Sequence, residues 1–242
     1  MPTYRAAAVF AHPDDETFSI GGSIAGYAAR GVHWDLFCAT DGDAGRSSAV
    51  PVSSRAELGA LRRNELIAAA RLLGVRGEIV TRGYPDGALG DVPADQLVGD
   101  VVRFLREARP DVVVTFGPEG APNAHRDHRV ISRAATAAFH LAGSPTAYPD
   151  QQLGSHAPAR LFYVTWAPPG PDSPHTVHGV PATVRVDVRR ELEFKRRAFD
   201  LYATQRELRD RFEALGLTDD EWFALAATHE QRSVATDLFD GL

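Results

Sequence analysis

Apolar positions in this chain fall into short unbroken runs, and the stretches between the runs carry apolar residues at helical spacing. Arg5 to Ala11 reads as a first buried strand, with Ala6 to Phe10 fully apolar. Gly22 to Arg30 reads as a helix stopped by Gly31, and Val32 to Thr40 as a second strand. Asp41 to Arg46 is turn chemistry, and a serine-rich loop runs on to Arg55. From Arg55 to Leu73, residues Leu58, Leu61, Leu66, Ala69, Leu72 and Leu73 share a helix face, and Gly74 supplies the stop. Glu78 to Thr81 is a short strand followed by the turn Tyr84-Pro85-Asp86-Gly87. Pro93 to Arg109 is a helix with its proline near the first turn, Val112 to Phe116 an apolar strand, and Arg126 to Leu141 a further helix.

The remainder is less regular. Ala142 to Arg160 reads as a loop, Leu161 to Trp166 as a strand, and Pro168 to Pro181 as a second loop holding five prolines with His175 and His178. A loop of that kind acts either as a lid or as a plain surface connection. Thr183 to Val188 is a strand, Arg189 to Phe212 a long charged helix, and the segment from Thr218, with Trp222 and Phe223, a short packed helix. The alternation of strands and helices predicts an α/β fold, a mostly parallel sheet with helices on both faces. No internal repeat or linker splits the chain, so residues 1–242 are expected to form one domain, with core motifs in 5–140 and a variable, pocket-shaping region in 141–242.

Composition narrows the class. The chain has 242 residues, 44% hydrophobic and 24% charged, enough for one well-cored domain. No apolar run approaches the ~20 residues of a membrane helix. The first residues lack the basic and apolar regions of a signal peptide, so a cytoplasmic protein is expected. Cys38 is the sole cysteine and sits in an apolar run, which makes it a small core residue. A net charge of −6 gives no electrostatic reason to expect nucleic acid.

The candidate chemistry lies in two clusters placed after strands. Ala11-His12-Pro13-Asp14-Asp15-Glu16 follows the first strand, and His125-Arg126-Asp127-His128 follows the strand ending at Phe116. Ligands of open α/β sheets bind beyond the carboxyl ends of strands. If the first strand lies beside the one ending at Phe116, as at a switch point, both clusters face one cleft. A catalytic zinc takes three nitrogen or oxygen ligands and keeps one position open. His12, Asp15 and His128 make such a set, leaving Asp14 beside the metal as a general base. His125 is either a further ligand or a stabiliser of the reacting oxyanion as an imidazolium. Asp127 would fix the tautomer of one histidine and raise its pKa. Each cluster alone also reads as a polar helix start, with carboxylates near the positive end of the helix dipole.

Together the clusters resemble the PIG-L/LmbE-like zinc N-deacetylases. The resemblance continues through Thr40-Asp41-Gly42, Arg62-x-x-Glu65-Leu66, Leu73-Gly74-Val75 and Tyr84-Pro85-Asp86-Gly87, covering roughly residues 5 to 140 in order. It implies a Rossmann-like fold and a zinc held by His12, Asp15 and His128, and the same donor types also admit Fe2+. It implies Asp14 as base and His125 as stabiliser of the intermediate. It puts Arg62 and Asp86 where family members contact the sugar. The bottom-up alternatives are a helical pair of Arg62 with Glu65 and an ordinary Pro-Asp-Gly turn at Asp86. The implied reaction is removal of an N-acetyl group from an amino sugar or related conjugate, releasing acetate and a free amine. Two alternatives stand beside it: an amidase acting on a larger thiol or lipid conjugate, and a metal- or sugar-binding module without catalysis. The oligomeric state, including a homo-oligomer, is open.

Overall fold

The structure is a computed structural model that describes residues 4–47, 49–121, 123–168, 179–230 and 235–242. Its centre is β1 (Arg5–Phe10), where Ala6, Ala7 and Val9 are wholly buried. It lies parallel to β2 (His33–Thr40) on one side and to β4 (Val112–Phe116) on the other, with Ala6 opposite Trp34 and Val112. The full sheet has seven strands in the order β3-β2-β1-β4-β5-β7-β6, where β3 is Ile79–Tyr84, β5 Arg160–Thr165, β6 Val184–Asp187 and β7 Asp220–Thr228. Strand order reverses direction at β1 and β4, so the switch point expected from the sequence falls between the two polar clusters. β4 also pairs parallel with β5, and β7 runs antiparallel to β5 and β6.

Two groups of helices cover the sheet. α1 (Asp15–Ala29), α2 (Arg55–Leu73) and α5 (Leu192–Asp200) pack against one another, and α3 (Ala94–Ala108) packs against α4 (Arg126–Leu141). Right-handed crossovers put the two groups on opposite faces, since the chain winds outward from β1 to β3 and then returns through β4. Ser54 caps α2 by accepting from the Glu57 N–H, and Gly74 closes it in the left-handed conformation, as its position predicts. Cys38 is buried in the core. Among the described residues, no helix is long and apolar enough to cross a membrane.

Three expectations change. The predicted helix from Gly22 to Arg30 starts earlier, at Asp15, and is kinked at Ile20. The expected helix from Arg189 to Phe212 stops at Asp200 because Tyr202 leaves helical geometry, with φ −85° and ψ 68°. There Tyr202 and Thr204 bond to α1 and α2 instead of continuing their own helix. The expected helix after Thr218 is strand β7, where Asp220 to Phe223 pair with β6 and Trp222 to Thr228, with their helix-forming alanines, pair with β5. The proline-rich loop 168–181, with His175 and His178, lies mostly outside the described residues.

Candidate active site

The chain leaves β1 through Ala11 and enters α1 at Asp15, and this turn carries the first cluster. Asp14 sits there with φ 101°, a left-handed conformation that a residue with a Cβ rarely adopts. Such strain costs about 1–3 kcal/mol and persists only where the surroundings enforce it. Here the Asp14 N–H donates to Glu16 Oε2 at 3.2 Å and its carbonyl accepts from the Phe18 N–H at 2.8 Å. The second cluster enters α4. His125 caps that helix, its Nδ1 accepting from the Asp127 N–H at 3.1 Å.

Three residues from the two clusters converge. His12 Nδ1 lies 3.3 Å from His128 Nε2 and 3.3 Å from Asp15 Oδ2, and His128 Nε2 lies 3.2 Å from Asp15 Oδ1. The outer nitrogens determine what these atoms offer. His12 Nε2 faces Asp127 Oδ2 at 3.3 Å and Asp86 Oδ1 at 3.2 Å, so it carries the proton. His128 Nδ1 faces the Gly120 carbonyl at 3.3 Å, so it too is the protonated nitrogen of its ring. Two imidazole lone pairs and a carboxylate therefore point at one spot, with all three residues almost fully buried. Ligands on a tetrahedral zinc with bonds of about 2.0–2.1 Å stand about 3.3–3.4 Å apart. The donor set fits a divalent cation in both spacing and chemistry. Without a cation the cluster favours a proton: burial opposes charge on His12, but Asp15, Asp127 and Asp86 outweigh it and lift His12 well above the ordinary histidine value. Burial also opposes the Asp15 charge, and His128 and His12 overcome it, so Asp15 is held far below the usual carboxylate range.

The ligand atoms of His125 come within 4.8 Å of those of His12 and His128. Its Nδ1 is already occupied by the helix cap, which leaves Nε2 as its free nitrogen. Burial and the neighbouring His12 and His128 hold it below the ordinary histidine value. With Nδ1 accepting from the Asp127 N–H, Nε2 is the nitrogen that His125 presents to the site, whether as a ligand or as a donor.

Asp127 is wholly buried and accepts from the Gly87 and Leu89 N–H groups at 2.8 and 3.2 Å. Asp86 accepts from the Ala44 N–H at 2.9 Å. Burial alone would raise both carboxyls, but His12 and these backbone donors keep both below the ordinary value. The sequence reading gives Asp86 to the sugar, and the structure adds a bond behind His12. Arg62 differs more. Its side chain is 5% exposed, and its guanidinium donates to Asp14 Oδ2 at 3.0 Å, to the Pro13 carbonyl at 2.7 Å and to the Gly42 carbonyl at 2.8 Å. Arg62 therefore pairs with Asp14, and Glu65 turns instead to Thr204. Burial pushes Asp14 up against the pull of Arg62, with Asp15 and Glu16 adding to the rise, to about 7. Burial likewise pushes Glu16 up to about 7.

Sequence reasoning gave no role to Glu16 or to the Tyr202–Gln205 segment that meets it. Glu16 was visible as the last residue of the first cluster, but nothing in the spacing tied it to Tyr202, 186 positions on.

The chain is similar to known proteins both in sequence and in fold. Residues 7–139 match the family model described as PIG-L: GlcNAc-PI de-N-acetylase. The chain is 35% identical over 156 residues to a 1D-myo-inositol 2-acetamido-2-deoxy-alpha-D-glucopyranoside deacetylase from Mycolicibacterium smegmatis, a match covering 55% of this chain and 54% of that protein. It spans about half the length of that relative. A protein of the same name from Rhodococcus erythropolis is 31% identical over 238 residues, covering 83% of this chain and 81% of its own. Among solved structures, N,N'-diacetylchitobiose deacetylase from Pyrococcus horikoshii superposes with a TM-score of 0.74 at 23% identity, over 91% of this chain and 83% of that one, a likeness of fold.

Proposed function

The chain belongs to the PIG-L family, and from that premise we propose that it is a zinc-dependent N-deacetylase acting on an N-acetylated amino sugar or a conjugate of one. The observation that carries this reading is the convergence of His12 Nδ1, His128 Nε2 and Asp15 with the strained Asp14 beside them. The relatives named as deacetylases of an inositol-linked acetamido sugar support the substrate class.

In this reading His12, Asp15 and His128 hold the metal. A bound divalent cation supplies Lewis-acid polarisation of the amide carbonyl and lowers the pKa of water to about 7. Asp127 and Asp86 hold the His12 ring so that Nδ1 keeps its lone pair for the ion. Asp14 takes a proton from the water that attacks the acetamide carbonyl, and its position near 7 suits that transfer. His125 donates its Nε2–H to the oxygen that becomes negative as the carbonyl carbon turns tetrahedral. The carbon–nitrogen bond then breaks, and the proton on Asp14 passes to the departing nitrogen. Acetate and a free amine result, with water consumed. Arg62 fixes the Asp14 carboxylate, which makes it a positioning residue rather than a sugar contact.

The test is release of acetate and primary amine by zinc-loaded protein across N-acetylated amino sugars and their glycosides. Equal amounts of both products from at least one member are expected. A larger acid in place of acetate would move the reading to an amidase on a bulkier conjugate, and no product with zinc bound would favour a binding module.

A further inference from the structure

The segment that breaks the last long helix reaches three separate parts of the site. Tyr202 is 1% exposed, and its hydroxyl donates to Glu16 Oε1 at 2.6 Å, as does the Thr17 hydroxyl at 2.5 Å. The other oxygen of Glu16 accepts the Asp14 N–H. Two residues on, the Thr204 N–H and hydroxyl donate to the two oxygens of Glu65 at 2.9 and 2.5 Å. Glu65 lies three positions after Arg62 on α2, almost one turn along the same helix. Gln205 Nε2 donates to the Arg46 carbonyl at 3.3 Å, on the loop whose Gly42 carbonyl holds Arg62. So each of the three elements that fix Asp14 is tied to four consecutive residues of the C-terminal region.

We infer that Tyr202, Thr204 and Gln205 form a brace for the general base, with Tyr202 acting through Glu16 to hold Asp14 in its strained conformation. This rests on the deacetylase reading for the identity of the base, while the geometry of the brace is independent of it. A helix continued past Asp200 would have satisfied the backbone of this segment without engaging its side chains. Instead the chain leaves helical geometry at Tyr202, the Thr204 N–H bonds to Glu65 in place of a helical carbonyl, and the Tyr202 hydroxyl reaches Glu16. The Tyr202 hydroxyl suits this role, since burial and the adjoining Glu16 push its pKa well up and it remains a donor. Tyr202, Thr204 and Gln205 are positioning residues, because their side chains bond to Glu16, Glu65 and the Arg46 carbonyl rather than to His12, Asp15 or His128.

Tyr202→Phe removes one hydroxyl and keeps the ring, and it is compared with the parent chain and with Asp14→Asn in a double-mutant cycle. In the zinc-loaded parent background, kcat is expected to fall about tenfold while KM and zinc affinity stay within about twofold. In the Asp14→Asn background the same change should have no further effect, because the group it positions is gone. Amide exchange provides the readout without turnover: the Asp14 amide is expected to exchange about tenfold faster in Tyr202→Phe. Unchanged exchange, unchanged kcat, or an equal loss in both backgrounds overturns the brace. If Tyr202→Phe does not fold, Thr204→Val, which loses one bond to Glu65, takes its place with the same expected directions. A parent chain that hydrolyses no acetamide sinks the deacetylase reading alone, and amide exchange then decides the brace.

Discussion

At the scale of single residues, the site is a problem in where protons sit. His12 and His128 each give their outer nitrogen to a protein acceptor and turn a lone pair inward. Because Asp15, Asp127 and Asp86 raise His12 well above its ordinary value, the metal-free cluster carries a proton at neutral pH. A cation must displace it, so zinc binding at pH 7 is expected to release about one proton. Titration calorimetry in two buffers of different ionisation enthalpy measures this, and a binding heat independent of buffer would contradict it. That His12, Asp15 and His128 meet could be read from sequence, because a divalent cation would ask for those donor types near one another. The partner of Arg62 could not. At helical spacing Glu65 is the obvious choice, yet a guanidinium has five donors and three of the nearest acceptors come from other parts of the chain.

At the scale of elements, strands and helices through residue 141 follow their apolar patterns because most are buried by their own supersecondary neighbours. β7 and the segment after Asp200 do not, since their conformation is set by distant partners. Ala224 to Ala227 favour a helix by propensity, but β5 pairs along that segment and β6 pairs with Asp220 to Phe223 just before it. The loop after β2 carries a tighter constraint. Gly42 has φ 66°, and a Cβ there would come within 2.4 Å of Arg62 Nη1. Gly42→Ala is therefore expected to cost about 1–3 kcal/mol in urea unfolding and to lower turnover by moving Arg62 off Asp14. A variant as stable and as active as the parent would show that the loop relaxes freely.

At the scale of the whole molecule, β7 is locked to α5 by a buried ion pair and to α1 through the same carboxylate. Lys195 Nζ meets Glu221 Oε1 at 2.6 Å, and the same carboxylate accepts from the Gly22 and Ser23 N–H groups at 2.9 and 2.7 Å. Removing one partner leaves a buried charge alone, so Lys195→Met is expected to destabilise by about 3–5 kcal/mol, read from the urea midpoint. A change below about 1 kcal/mol would mean that Glu221 finds water or other donors. The C-terminal third thus secures the sheet edge through Glu221 and the base through Tyr202, while the N-terminal two thirds bring the chemistry to the switch point. The claim on which this arrangement turns is that Asp14 acts on the reaction and not on the metal. Zinc content and amide-hydrolysis rate, measured on the same preparation of Asp14→Asn, test it most directly. The account predicts full zinc occupancy with kcat reduced by about 10²–10⁴. Loss of zinc from that variant, or a rate equal to the parent's, would contradict it.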